Sequence, residues 1–175
     1  MKNAPPVLPD LLSPGLGIVF CGTAAGSVSA ARGQYYAHPR NKFWRTLHAV
    51  GLTPRLFAPG EFAALPALGI GLTDIAKHVS GMDSELPPQS LGREAATALR
   101  ARIAANAPRI LAFTSLTGGK RVVGPAAKFG EQEARIGATR IWVLPSPSPA
   151  AHWNWNESVW RALADEVRAL RGDGP

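Results

Sequence analysis

Acidic residues are scarce in this chain. Its 175 residues hold 12 Asp+Glu against 19 Lys+Arg, and charged residues make up only 18%, so the net charge of +7 stands out. That balance points to a polyanionic partner, either nucleic acid or an anionic surface. Cysteine is scarcer still. Cys21 stands alone, which excludes an internal disulfide and a cysteine-based zinc site and fits a reducing cytoplasm. No apolar run approaches the roughly 20 residues of a membrane span. Met1 to Pro9 has one lysine and three prolines but no apolar stretch, so it does not read as a secretory signal. The histidines His38, His48, His78 and His152 are scattered without a His-x-x-x-His pair, which leaves no zinc pattern. The chain also lacks the Gly-x-Gly-x-x-Gly spacing of a dinucleotide site. Gly119-Lys120 fails as a phosphate loop because Thr114 stands where glycine is needed and Arg121 where Ser or Thr is needed. No Gly-x-Ser-x-Gly elbow is present.

A hydrophobic content of 46% excludes a disordered chain, and the length suits one domain with its own core. Pro5, Pro6, Pro9 and Pro14 make residues 1–14 an N-terminal arm. Residues 15–171 form the domain, and 172–175 form a short tail. Four apolar runs read as strands covered on both faces: Ile18-Val19-Phe20-Cys21, the weaker Gly69-Ile70-Gly71-Leu72, Ile110-Leu111-Ala112-Phe113 and Ile141-Trp142-Val143-Leu144. Residues 131–139 add a turn or a short strand before the last of these. Helical spacing links Phe43, Leu47 and Val50, with Gly51 at the C′ position. It also links Leu91, Ala95, Leu99 and Ile103, and then Trp160, Leu163, Val167 and Leu170. Asn154 and Glu157 have capping-box spacing before that final helix. The expected fold is α/β, a three-layer α/β/α sandwich around a central, mainly parallel four-stranded sheet.

Ligands of such sheets bind beyond the carboxyl ends of the strands, which directs attention to four loops. Gly22-Thr23-Ala24-Ala25-Gly26-Ser27 is either a tight turn or a loop whose backbone N–H groups approach a ligand closely. Asp74 either caps a following helix or presents a carboxylate at the mouth of the sheet. Thr114-Ser115 ends the third run. Pro145-Ser146-Pro147-Ser148-Pro149 opens a stretch too rich in proline for a helix, expected as a rigid loop in which Ser146 and Ser148 grip a phosphate. His152 there is either a surface histidine or a hydrogen-bond donor to a base or phosphate. The segment from Tyr35 to Arg45 interleaves aromatics with Arg40, Lys42 and Arg45, a mixture suited to stacking a base and holding phosphates. Phe43 and Trp44 read as core, whereas Tyr36 lies in a polar loop.

Taken in order, these segments resemble the uracil-DNA glycosylase superfamily, and within it the mismatch-specific uracil/thymine-DNA glycosylase branch. The resemblance rests on Leu12 to Gly22, on Ala37-His38-Pro39 with Asn41, Phe43 and Trp44, on Gly71-Leu72-Thr73-Asp74, and on Ile141 to Ser148, and it runs from about residue 12 to 170. It implies a DNA-repair enzyme that flips a deaminated base, uracil with xanthine and hypoxanthine as further bases, out of DNA. The enzyme then hydrolyses the N-glycosidic bond and leaves an abasic site. Such an enzyme acts as a monomer on DNA, with no cofactor or metal and no membrane.

Two departures from the family pattern matter. The branch reads Gly-Ile-Asn-Pro-Gly in its first motif, and the Asn orients the attacking water. Here Ala24 takes the Asn position, and a methyl group cannot hold water. Either catalysis is lost or another residue has the role, and the resemblance makes Asp74 the replacement. The second departure is Ala150, a poor wedge for the hole left by a flipped base, so either insertion is weak or His152 or Trp153 fills it. Gly22, Thr23 and Ala24 then surround the base, with Tyr36 stacking on it and Ser115 a candidate reader. Arg40, Lys42, Arg45, Ser146, Ser148 and His152 face the DNA, with Lys120 and Arg121 as further phosphate contacts. Two other readings stay open. One is a noncatalytic binder of damaged or single-stranded DNA. The other is an α/β hydrolase with Ser27 or Ser148 as nucleophile.

Overall fold

Each apolar run becomes a strand buried along its length, because a sheet with helices on both faces leaves no polar side. A computed structural model describes residues 4–172. Residues 1–3 of the expected arm and 173–175 of the expected tail lie outside the described residues. The strands are β1 (Ile18–Gly22), β2 (Ile70–Asp74), β3 (Ile110–Phe113), β4 (Gly130–Ile136) and β5 (Thr139–Val143). They form one sheet in the order β2-β1-β3-β5-β4. β2, β1, β3 and β5 run parallel, and β4 pairs antiparallel with β5.

Among the described residues the sheet therefore has five strands, where the apolar runs mark four. β4 escapes that reading for a physical reason. It is an edge strand, Gly-Glu-Gln-Glu-Ala-Arg-Ile, half-buried and exposed by turns, and it offers no apolar run. Its Glu131 carboxylate pairs with Arg140 on β5 at 2.6 Å, and Arg140 also reaches Glu166 at 3.0 Å. Charged edges of this kind discourage pairing with other chains.

Among the described residues, five α-helices complete the layers: α1 (Ser27–Arg32), α2 (Phe43–Ala49), α3 (Arg93–Asn106), α4 (Leu116–Val122) and α5 (Glu157–Arg171). Ile18, Phe20, Ile70, Leu72 and Ala112 pack on one face against Phe43 and Leu47 of α2 and Trp160, Leu163 and Val167 of α5. Val19, Cys21, Leu111, Phe113 and Val143 pack on the other face against Leu99 and Ile103 of α3 and Val122 of α4. Gly51 follows α2 with φ 81°, the left-handed conformation its C′ position requires. Asn156, not Asn154, caps α5: its Oδ1 accepts from Ser158 N at 3.0 Å.

The chain leaves β1 toward the α2 face and leaves β2 and β3 toward the α3–α4 face. The connections diverge at the end of β1, where doubly wound sheets open a crevice. The described part of the proline-rich N-terminal segment, from residue 4, forms no regular element, yet it is docked. Leu8 is buried, Leu11 exchanges backbone hydrogen bonds with Leu72 on the outer edge of β2, and Val7 N donates to Lys77 O at 2.7 Å.

Candidate active site

Asp74 is the last residue of β2 and pairs in register with Gly22, the last residue of β1. It caps no helix. The chain after it turns through residues 75–82, with Ile75 N donating to Gly22 O at 2.9 Å and Ala76 N to Thr23 O at 2.8 Å. The carboxyl group instead lies over Gly22. A Cβ on residue 22 would sit 2.6 Å from Asp74 Oδ1, so a side chain there would displace the carboxyl group from its place over Gly22. Among the described residues, none donates a hydrogen bond to this carboxyl group. Burial pushes its pKa up to about 6; Lys77 and Arg102 pull it down, and Asp10 adds to the rise. It is a buried carboxylate poised to ionise near neutrality, a feature that concentrates at functional sites.

The loop after β1 supplies donors. Among the described residues, the backbone N–H groups of Thr23 and Ala24 have no protein acceptor, and both residues are half-buried. Thr23 Oγ1 donates to Asp83, which ties this loop to the turn after β2. Two adjacent unpaired N–H groups beside a carboxylate can receive negative charge on a ligand atom.

Tyr36 borders the same point. Its φ of 51° is left-handed, unusual for an aromatic residue and a local strain of the kind found at functional sites. The ring stacks on Phe43 with centroids 3.9 Å apart, and its hydroxyl shares a 3.1 Å hydrogen bond with Thr114 Oγ1. One ring face is therefore committed to the core, and the residue stays half-buried. Burial and then the nearby Asp74 raise the Tyr36 phenol well above its usual range, which keeps it neutral. Trp44 is core, as its sequence context suggests, and its Nε1 donates to Tyr35 O at 3.0 Å. Ser115 caps α4, with its hydroxyl accepting from Gly118 N at 3.1 Å.

The loop after β5 differs from its expected form. Pro149 to Asn154 closes into a 3-10 helix, which proline tolerates at a first helical position. Ser146 Oγ accepts from Ser148 N at 3.2 Å, and Ser148 Oγ caps the turn from Ala150 N at 3.3 Å. Lys42 N donates to Pro147 O at 2.9 Å, so this loop and the Tyr36 loop abut. The Lys42 ammonium stands 5.2 Å from the Trp155 ring centroid. Arg40 and Arg45 are exposed. His152 is exposed beside Trp153, which is itself 72% exposed and the large apolar side chain this loop presents to solvent.

Lys120 and Arg121 lie elsewhere. With Arg93 and Arg100 they line a cavity of about 430 Å³ between α3 and α4. The sequence pattern did not single out Arg93 or Arg100. Asp10, Lys77 and Arg102 were also missed; they meet only through folding. Among the described residues, no three His, Cys, Asp or Glu side chains gather as a metal site, and no helix is long and apolar enough to cross a membrane.

Comparison with known proteins bears on this arrangement. A Methanosarcina acetivorans protein solved by solution NMR and described as a candidate uracil DNA glycosylase shares the fold. It aligns at a TM-score of 0.63 and 24% identity, covering 92% of this chain and 96% of that one. A family model for the uracil DNA glycosylase superfamily matches residues 9–165, from the segment holding Asp10 through all four strand-end loops into α5. The chain belongs to the uracil DNA glycosylase superfamily.

Proposed function

We propose that the protein is a DNA glycosylase that removes uracil, and related deaminated bases such as xanthine and hypoxanthine, with Asp74 in place of the missing first-motif Asn. Family membership supports the reaction class. The observation that carries the residue assignment is the Asp74 carboxyl group, unpaired over Gly22 at the end of β2 and not spent on a helix cap. In this reading the extruded nucleotide lies with its sugar above Asp74. As the C1′–N bond breaks, its electron pair leaves with the base and the sugar becomes oxocarbenium-like, a charge that a carboxylate stabilises. A water oxygen bonds to C1′, and its proton passes to Asp74 and then to solvent. The N–H groups of Thr23 and Ala24 meet the oxygen of the departing base. Tyr36 borders the base, Ser115 reads it, and Trp153 fills the gap in the stack. Extrusion costs a few kcal/mol, least for damaged pairs, and favours lesions over intact DNA. Arg40, Lys42, Arg45, Ser146, Ser148 and His152 hold the backbone. The enzyme works as a monomer in the cytoplasm without a metal or redox cofactor.

Single-turnover assays on uracil-containing DNA, read by alkaline strand cleavage, test this. Asp74→Ala and Asp74→Asn are expected to lose at least roughly 10²–10³-fold in rate while remaining folded; near-normal rates overturn the assignment. Ala24 favours a second reading, a noncatalytic binder of damaged or single-stranded DNA. Lesion-dependent binding by the wild type without any cleavage would select it.

A further inference from the structure

Lys77 and Arg102 both bear on Asp74, yet neither touches its carboxyl group. Both turn to Asp10, in the N-terminal segment along the β2 edge. Lys77 Nζ lies 2.7 Å from Asp10 Oδ1 and Arg102 Nε 3.3 Å from Oδ2. Thr73 Oγ1 donates to Asp10 Oδ1 at 2.7 Å, and Lys77 Nζ donates to the Tyr35 hydroxyl at 3.3 Å. That hydroxyl donates to Pro9 O at 2.9 Å, which closes the ring of contacts back onto the segment. Arg102 Nη2 donates to the main-chain oxygen of Asp74 at 2.8 Å. One carboxylate thus accepts from a hydroxyl of β2, pairs with an ammonium from the turn after it, and lies within ion-pair distance of a guanidinium from α3.

We propose that Asp10 is a positioning residue for Asp74: by holding Lys77 and Arg102 it keeps both cations off the Asp74 carboxyl group, which stays unpaired at the mouth of the sheet. The proposal rests on the reading of Asp74 as the catalytic carboxylate. A cation freed beside a buried carboxylate would pair with it, and a paired carboxylate is a weaker stabiliser of positive charge on a sugar. The other titratable groups facing Asp74 are the Cys21 thiol of β1 and the Tyr35 and Tyr36 phenols before α2. Burial raises all three, so they stay neutral. The charges acting on Asp74 are therefore those of Lys77, Asp10 and Arg102.

The two ends of the Asp10–Lys77 pair act on Asp74 with opposite signs, which makes the test specific. Asp10→Asn removes an anion and releases Lys77, so the Asp74 titration midpoint falls. Lys77→Met removes a cation, so the midpoint rises. Each shift is expected on the order of one pH unit. The midpoint is read in the free protein by carbon NMR of the Asp74 carboxyl, and the acid limb of the single-turnover rate is measured in parallel. A pair that braces the fold without setting the charge felt by Asp74 would lower thermal stability and leave both midpoints in place. Opposite shifts in the NMR midpoint support the proposal. If the rate profile then fails to follow, the catalytic reading of Asp74 falls while the positioning role stands. Unmoved midpoints, or shifts of the same sign, overturn it. If Asp10→Asn does not fold, Lys77→Met carries the test alone: its midpoint must rise.

Discussion

Gly22 and Asp74 share one constraint: the chain ends two paired strands with a residue that has no side chain beside a carboxylate that has no partner. The carboxylate is expensive where it stands. An aspartate raised from 3.8 to about 6 binds its proton more tightly folded than unfolded. The contribution of this one group to stability is therefore greatest below about pH 4, falls as pH climbs from about 4 to about 6, and stays reduced above that. A shift of that size is worth ~3 kcal/mol. Asp74→Asn is accordingly expected to stabilise the protein by up to about that amount at pH 7–8 and to have little effect near pH 3. Urea denaturation at both pH values measures this, and equal effects would contradict the burial of an ionised group. With Asp74 as the catalytic carboxylate proposed above, the same titration predicts a rate that rises with pH through about 6, because in that reading only the ionised carboxylate serves the sugar cation.

Among elements, α5 reaches furthest from its own position. Trp160 is fully buried and stacks on Phe20 of β1 at 5.7 Å, and its Nε1 donates to Pro145 O at 3.0 Å. One side chain thereby packs the sheet face and anchors the start of the loop that carries Ser146, Ser148 and Trp153. Trp160→Ala is expected to cost about 3–5 kcal/mol through the cavity it leaves. Trp160→Phe keeps most of the apolar contact and removes the donor to Pro145. It is expected to cost less in urea denaturation while still weakening DNA binding through the loosened loop. Unchanged DNA affinity in Trp160→Phe would show that the loop is held by its own prolines.

At the scale of the whole molecule, the excess of 19 Lys+Arg over 12 Asp+Glu is not spread evenly. Glu131, Glu157 and Asp165 are consumed by arginines of β5 and α5, and Asp10 by Lys77 and Arg102. Arg40 and Arg45 have no acidic partner among the described residues and flank the Tyr36 loop. Affinity for duplex DNA is expected to fall steeply with salt. Arg40→Gln and Arg45→Gln should each flatten the slope of log K against log salt by about 0.9 if that side chain meets a phosphate. Fluorescence anisotropy across a salt series reads the slope, and an unaltered slope removes that residue from the DNA face.

Much of this protein was legible along the chain, because local patterns report local environments. Four apolar runs marked the parallel strands, and helical spacing marked the buried faces of α2 and α5 and, through Leu99 and Ile103, of α3, although Leu91 lies in a separate 3-10 turn before α3 and Ala96, not Ala95, is buried there. The position of Asp74 directly after a strand singled it out among the acids. β4 was not legible as a definite strand, since an edge strand with solvent beside it carries no run of apolar residues. Three things were settled only by the tertiary structure. Asp74 ends beside Gly22 and not on a helix. Tyr36 shares its ring with Phe43 and its hydroxyl with Thr114. Asp10 meets Lys77 and Arg102 from far along the chain. The reason is physical: burial and periodicity are written in neighbouring residues, whereas the charges that act on a buried carboxylate come from segments that only the folded sheet brings together.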